Sequence, residues 1–384
     1  MFHRILTPRK NYSFFLFGPR GVGKSTLLRA VFDPQNTAYF DLLDLGLEQQ
    51  LLRRPQDFSE MLNKLSPEIK WVIVDEIQKI PLLLNEIHRQ IEKNKNRFFV
   101  LTGSSARKLR HGKANLLAGR AFTYELHPLT FEELGNRFEL NQVLQFGSLP
   151  QIFSFQENAD KNLFLSSYAQ NYLREEIQLE ALVRDLSSFH RFLPLAAHAN
   201  GELLSWASFA SDVGIDAKTI RSYFEILEDT LVGFMLPAYQ RSLRKRQRTQ
   251  PKFYFFDSGV KRALAGELLT ALVPETREYG RAFEHWMILE ILRQNSYQRT
   301  DYKFSYFATN DIEIDLVIEK PNREILFVEF KSSERVKEIE IRPLKTVTTE
   351  VKNSRAFCFC REKQARKVGE VLVLPYQQFD ELFA

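Results

Sequence analysis

The chain has 384 residues, with 53 Lys and Arg against 48 Asp and Glu, for a net charge of +5. A hydrophobic content of 44% and a charged content of 26% exclude a disordered chain and leave room for two or three cores. Two cysteines, Cys358 and Cys360, alternate along one apolar run. They read as reduced core thiols of a cytoplasmic protein rather than a disulfide framework. No apolar stretch reaches membrane-spanning length, so no membrane partner is expected. The basic balance is compatible with an anionic partner without requiring one.

The first predicted strand, Phe14–Phe17, runs into Gly18, Pro19, Arg20, Gly21, Val22, Gly23, Lys24, Ser25 and Thr26, and a helix is predicted to open at Lys24. This fits G-x-x-x-x-G-K-[ST], the P-loop of nucleotide triphosphate sites. Glycines let backbone N–H groups converge on phosphate oxygens, and the helix N-terminus adds a favourable dipole. Lys24 is expected to reach the β- and γ-phosphates of ATP, and Ser25 to ligate Mg2+.

A second strand is predicted at Ala38–Leu42, and a third at Trp71–Asp75, ending in Asp75-Glu76. After a P-loop, an apolar strand closed by two carboxylates is the Walker B pattern. Asp75 would hold Mg2+ through its water shell, and Glu76 would orient or deprotonate the attacking water. Further strands are predicted at Phe98–Leu101, running into Thr102-Gly103-Ser104-Ser105, and at Ala121–Leu126, preceded by Gly119-Arg120.

This ordered set resembles the AAA+ superfamily. More narrowly, Gly18–Ser25 and Asp75-Glu76-Ile77-Gln78-Lys79-Ile80-Pro81 resemble a prokaryotic group of single-chain ATPases with a C-terminal domain of unknown function. The resemblance implies a polar sensor on the fourth strand, either Ser104 or Ser105, although the segment equally reads as a polar turn before a helix. It also implies a trans-acting arginine. Arg120 fits that role, with Arg107 and Arg110 as competitors and a solvated surface arginine as the plain alternative. Such an arginine makes a homo-oligomer, for instance a hexamer, the expected assembly.

From Pro128 to Leu186 the pattern turns helical and reads as a lid, with Arg174 as a second candidate sensor or simply an exposed helix arginine. In Ser205–Val213, Trp206, Phe209, Ala210 and Val213 form one helical stripe, Gly214 breaks it, and Asp216 suits an N-cap. The next helix is expected to turn Ile220, Tyr223, Phe224, Leu227 and Leu231 inward and Lys218, Thr219, Arg221 and Ser222 outward. That is a helix-turn-helix pattern. Strands Leu231–Leu236 and Phe253–Phe256 would make a wing, whose loop carries Arg241, Arg244, Lys245, Arg246, Arg248 and Lys252 without an acid. Phosphate contacts with DNA are expected from Lys218, Arg221 and that loop, against the reading of a solvated charged face.

Near the C-terminus, Glu284 lies on a predicted helix, Asp315 on an alternating strand, and Glu329 and Lys331 on one face of the strand Ile325–Lys331. A helix at Ile341–Val351 and a strand at Arg355–Cys360 follow. An Asp, then Glu-x-Lys on the next strand, with a Glu on the preceding helix, resembles the PD-(D/E)XK nuclease superfamily. That resemblance implies Mg2+ or Mn2+ on Glu284, Asp315 and Glu329, with Lys331 positioning the attacking water.

The expected fold is therefore α/β. It comprises a P-loop AAA+ core (1–127), a helical lid (128–186), a winged helix (187–262) and a restriction-endonuclease-like α/β domain (263–384). The expected function is Mg2+-dependent ATP hydrolysis coupled to binding, remodelling or processing of DNA. The alternative is an ATPase switch whose nuclease-like domain only binds.

Overall fold

A computed structural model describes residues 2–105, 117, 119–172, 186–239, 250–309 and 312–384. Strands β1 (Ser13–Phe17), β2 (Thr37–Asp41), β3 (Trp71–Asp75), β4 (Phe98–Gly103) and β5 (Ala121–Glu125) form an all-parallel sheet in the order β2-β3-β4-β1-β5. Every residue of β1 and β3 is buried, which is why they are continuous apolar runs rather than alternating ones. Phe14, Leu16, Ile73 and Val100 face helix α1 (Lys24–Val31). Phe15, Phe17, Val72, Val74, Phe99 and Leu101 face α3 (Asp57–Asn63) and α4 (Leu83–Lys93), with α2 (Leu45–Arg53) between β2 and α3 in sequence. Parallel pairing brings the carboxyl ends of β1, β3 and β4 to one edge, where open α/β sheets bind ligands.

Short helices α5 (Phe131–Leu134), α6 (Leu140–Phe146) and α7 (Asn158–Ser167) follow, then α8 (Leu186–His198), α9 (Trp206–Val213) and α10 (Ala217–Asp229). Gly214 takes a left-handed conformation with φ 79°, and Asp216 caps α10 through the N–H groups of Lys218 and Thr219, both at 3.0 Å. Ile220, Tyr223, Phe224 and Leu227 are buried as expected, while Lys218 and Arg221 are exposed. Leu231 departs from expectation. The helix stops at Asp229, Thr230 Oγ1 donates back to Ile226 O at 2.7 Å, and Leu231 packs instead against the N-terminal parallel sheet.

Strands β6 (Gly233–Leu236) and β7 (Lys252–Phe255) form an antiparallel hairpin, and α11 (Ser258–Leu264) follows. Arg241, Arg244, Lys245, Arg246 and Arg248 lie outside the described residues, as do Arg107, Arg110 and Arg174. Lys252 corrects the reading of a solvent-facing basic loop. It is the first residue of β7 and is 3% exposed.

The last region is a mixed six-stranded sheet in the order β12-β13-β11-β10-β9-β8. Its strands are β8 (Lys303–Ala308), β9 (Glu313–Glu319), β10 (Ile325–Lys331), β11 (Ser354–Cys360), β12 (Arg366–Val368) and β13 (Val371–Pro375). Helix α12 (Arg277–Gln298) packs Phe283, Trp286 and Met287 on one face. Helix α13 (Arg342–Glu350) packs Leu344 and Val347 on the other, against Phe327 and the free, buried Cys358 and Cys360. The middle region is fused to both neighbours. One core runs from Phe14 and Leu16 to Phe192 and Phe224, and Tyr306 N of β8 donates to Pro237 O at 2.9 Å. No helix among the described residues is long and apolar enough to cross a membrane.

Candidate functional site

At the carboxyl edge of the parallel sheet the chain leaves β1 and wraps Gly18–Gly23 before α1 begins at Lys24. Gly23 caps that helix with φ 96°, a left-handed conformation that a side chain would strain. Lys24 is buried, and its ammonium donates to Gly18 O at 2.7 Å and Pro19 O at 3.2 Å, inside the curl of the loop. Tyr168, just beyond α7, donates its hydroxyl to Arg20 O at 2.9 Å, so the helical region touches the loop directly.

Ser25 Oγ donates to Asp75 Oδ2 at 2.9 Å, joining the two sequence motifs. Tyr39 and Thr102 also donate hydroxyls to the Asp75 carboxylate. Tyr39 is held protonated far above its ordinary range, by burial first and then by that carboxylate. A hydroxyl and a carboxylate meeting beside a buried ammonium is the donor set that a Mg2+-bound polyphosphate requires, so Ser25 and Asp75 fit the ion expected there.

Glu76 has φ 61° and ψ 45°, a left-handed conformation uncommon for a non-glycine residue and concentrated at functional sites. Its carboxylate accepts from the Gln78 amide, which also donates to Ser104 Oγ at 3.1 Å. Ser104 therefore belongs to this network, while Ser105 Oγ donates to Asp229 O at 3.1 Å at the end of α10. Gln78, Thr102 and Tyr39 went unread in the sequence. Strand register brings Tyr39 and Thr102 to Asp75, while Gln78 sits two residues after Glu76 on the turn that follows β3.

A Cβ at Gly103 would stand 2.5 Å from Gln78 Oε1. Gly103→Ala is therefore expected to push Gln78 off Glu76. ATP turnover should fall roughly ten- to a hundredfold while the folded fraction by circular dichroism stays unchanged.

Arg120 stands at the opposite edge of the sheet, before the first residue of β5, and its Nε lies 2.5 Å from Glu92 Oε1 at the end of α4. That pairing depresses the Glu92 carboxyl to about 2, mainly through the Arg120 hydrogen bond. Arg120 does not reach Lys24 or Asp75 of its own chain. A cavity of about 710 Å3 adjoins the loop, lined by Phe2, His3, Leu6, Thr26, Leu27 and Pro150.

The second set of residues lies on the C-terminal sheet. Asp315 is one step beyond the Leu316–Val328 pair, beside Glu329, and its Oδ2 accepts from Phe330 N at 2.8 Å. Lys331 Nζ is 2.6 Å from Glu329 Oε1. Glu284 on α12 accepts from Tyr254 OH at 2.7 Å, and Lys252 Nζ lies 3.9 Å from Glu284 and 2.6 Å from Glu313. Burial and then the Asp315 charge push the Glu284 carboxyl up to about 7 and the Glu329 carboxyl up to about 8. Burial likewise raises Asp315. Burial alone would lower Lys252 and Lys331, but the surrounding carboxylates outweigh it and hold both above their ordinary range.

Glu284, Asp315, Glu329 and Lys331 thus share one electrostatic environment. Even so, among the described residues no three His, Cys, Asp or Glu side chains are grouped to hold a metal ion. Lys252 offsets Glu313 and Glu284, Lys331 offsets Glu329 Oε1, and Glu329 Oε2 is buried without a hydrogen-bond partner. Sequence reasoning had no signal for the inward turn of Lys252, because its partners lie far along the chain.

Residues 10–135 match the AAA domain family. Residues 137–269 match a domain of unknown function (DUF8612), and residues 279–379 match another (DUF4143). An uncharacterized protein of Mycobacterium tuberculosis is 27% identical over 314 residues, covering 80% of this chain and 68% of the relative. One from Haemophilus influenzae is 23% identical, covering 81% and 80%. One from Methanocaldococcus jannaschii is 22% identical, covering 88% and 79%. Among solved structures, domain III of the Thermotoga maritima replication initiation protein DnaA matches at TM-score 0.26 and 13% identity, over 58% of this chain and 85% of that one. A superposition that loose says nothing about what this chain does. The matches to an AAA domain in the N-terminal region and to DUF4143 in the C-terminal region support an AAA-type ATPase with a C-terminal domain of unknown function.

Proposed function

We propose that the chain hydrolyses ATP and couples the hydrolysis to binding, remodelling or processing of DNA in the cytoplasm. What carries the reading is the meeting of Lys24, Ser25, Asp75 and Glu76 at one sheet edge. Backbone N–H groups of Gly21–Ser25 and the Lys24 ammonium take the phosphates. The cavity beside α1 has room for the base. Ser25 and Asp75 would hold Mg2+, which would supply charge neutralisation to the phosphates. Glu76, held by Gln78, accepts the proton of the attacking water. Arg120 acts on a neighbouring copy once it leaves Glu92, which makes hydrolysis a property of a homo-oligomer.

DNA contacts are assigned to exposed Lys218 and Arg221 of α10 and to Arg241, Arg244, Lys245, Arg246 and Arg248. Replacing Arg244, Lys245 and Arg246 with Glu should weaken DNA binding at low salt. The log–log salt slope should also shrink by roughly 0.9 for each phosphate that the loop no longer neutralises. Unchanged affinity and slope in a fluorescence anisotropy titration would remove the loop from the interface.

A second reading, a C-terminal domain that binds without cutting, is favoured by the burial of Lys252 among the acids. With Mg2+ or Mn2+ present, the chain and its Asp315→Ala and Lys331→Ala variants should leave linear, branched and single-stranded DNA equally intact. Cutting that disappears in both variants would establish a nuclease.

A further inference from the structure

Arg4, upstream of β1, belongs to no motif, yet its guanidinium joins four separate parts of the chain. Its side chain is 7% exposed, and Nε lies 2.9 Å from the wholly buried carboxylate of Glu133 in α5. Nη1 donates to Val22 O of the phosphate loop at 2.7 Å. Nη2 donates to His127 O beyond β5 at 2.6 Å and to Tyr297 OH near the end of α12 at 3.2 Å. Tyr297 OH also accepts from His127 N at 3.0 Å. Glu133 is fixed in turn, accepting from Ile5 N at 2.9 Å and from Thr130 N at 3.1 Å in a capping box.

In a trans peptide the carbonyl and the following N–H point to opposite sides. Holding the Val22 carbonyl against Arg4 therefore aims the Gly23 N–H away from Arg4, toward the interior of the loop. A planar fork of five donors can serve four acceptors at once, and a lysine cannot. The same fork ends on α12, the helix that carries Glu284.

We propose that Arg4 is a positioning residue of the phosphate loop, and that through Tyr297 it couples nucleotide occupancy to helix α12. This rests on the nucleotide reading of Gly18–Ser25. Filling the loop with a polyphosphate fixes the Val22–Gly23 peptide and with it Arg4, so the Tyr297 contact tightens. Coupling of this kind is reciprocal, and a loosened α12 weakens nucleotide binding.

The test is hydrogen exchange of the full chain with and without Mg2+ and adenylyl-imidodiphosphate, for wild type, Tyr297→Phe and Arg4→Lys. In wild type, nucleotide should slow exchange both at residues 18–26 and at residues 294–298. Tyr297→Phe should keep the first response and lose the second. Arg4→Lys should bind the nucleotide roughly tenfold more weakly, because one ammonium replaces a four-way fork. Protection at 18–26 without any change at 294–298 in wild type overturns the coupling. Wild-type affinity in Arg4→Lys overturns the positioning role. No protection at 18–26 would sink the nucleotide reading, and this proposal with it.

Discussion

Glu76→Gln is expected to bind ATP as wild type does and to hydrolyse it two to four orders of magnitude more slowly. That range is what a positioned general base contributes, roughly 3–5 kcal/mol of barrier. Glutamine keeps the size of the side chain and an oxygen to accept from Gln78, so the network to Ser104 survives. What it loses is the capacity to take a proton from water. The left-handed backbone at Glu76 is independent of the side chain's charge, so the substitution leaves the strain and the aim of the side chain in place. Nucleotide affinity and steady-state phosphate release, measured on one preparation, decide the matter. A variant with turnover within tenfold of wild type would show that another group activates the water.

Lys252→Met should lower stability by roughly 3 kcal/mol, the lower end of what breaking a buried ion pair costs. The lower end applies because Glu313, one of its two partners, is 56% exposed and can return to water. Glu284 cannot do so as freely, and Asp315 adds its repulsion. The deficit should depend on pH with a definite sign. A carboxyl raised in the folded chain from 4.5 to about 7 contributes stability below 4.5 that is lost as pH rises through about 7. Without Lys252 the upper edge moves higher still. Urea midpoints should therefore differ little from wild type at pH 5 and most at pH 8, and Lys252→Met/Glu284→Gln should recover part of the loss. An equal deficit at both pH values would mean that packing of the lysine stem, not charge, holds the hairpin to the C-terminal sheet.

How much was legible in the sequence follows from how far apart the partners lie. The P-loop and Asp75-Glu76 were readable because each is a strand ending in a local pattern. The two helices either side of Gly214 were readable because caps and stripes are properties of one helix turn. Thr102 joined Asp75 only through strand register, and Arg4 reached the phosphate loop only through tertiary packing. Lys252 was misread because a charge run carries no sign of which member turns inward. Leu231 continued the helical stripe by spacing alone, while the Thr230 hydroxyl, bonded back to Ile226, ends the helix first. Ser104 and Ser105 were indistinguishable in sequence, and the turn after β4 sends one to Gln78 and the other to Asp229.

The coupling of ATP hydrolysis to DNA is tested most directly by steady-state ATPase rates with single-stranded, duplex and branched DNA. Stimulation by at least one of these is expected, lost in Glu76→Gln and weakened when Arg244, Lys245 and Arg246 become Glu. A wild-type ATPase rate indifferent to every nucleic acid would contradict it.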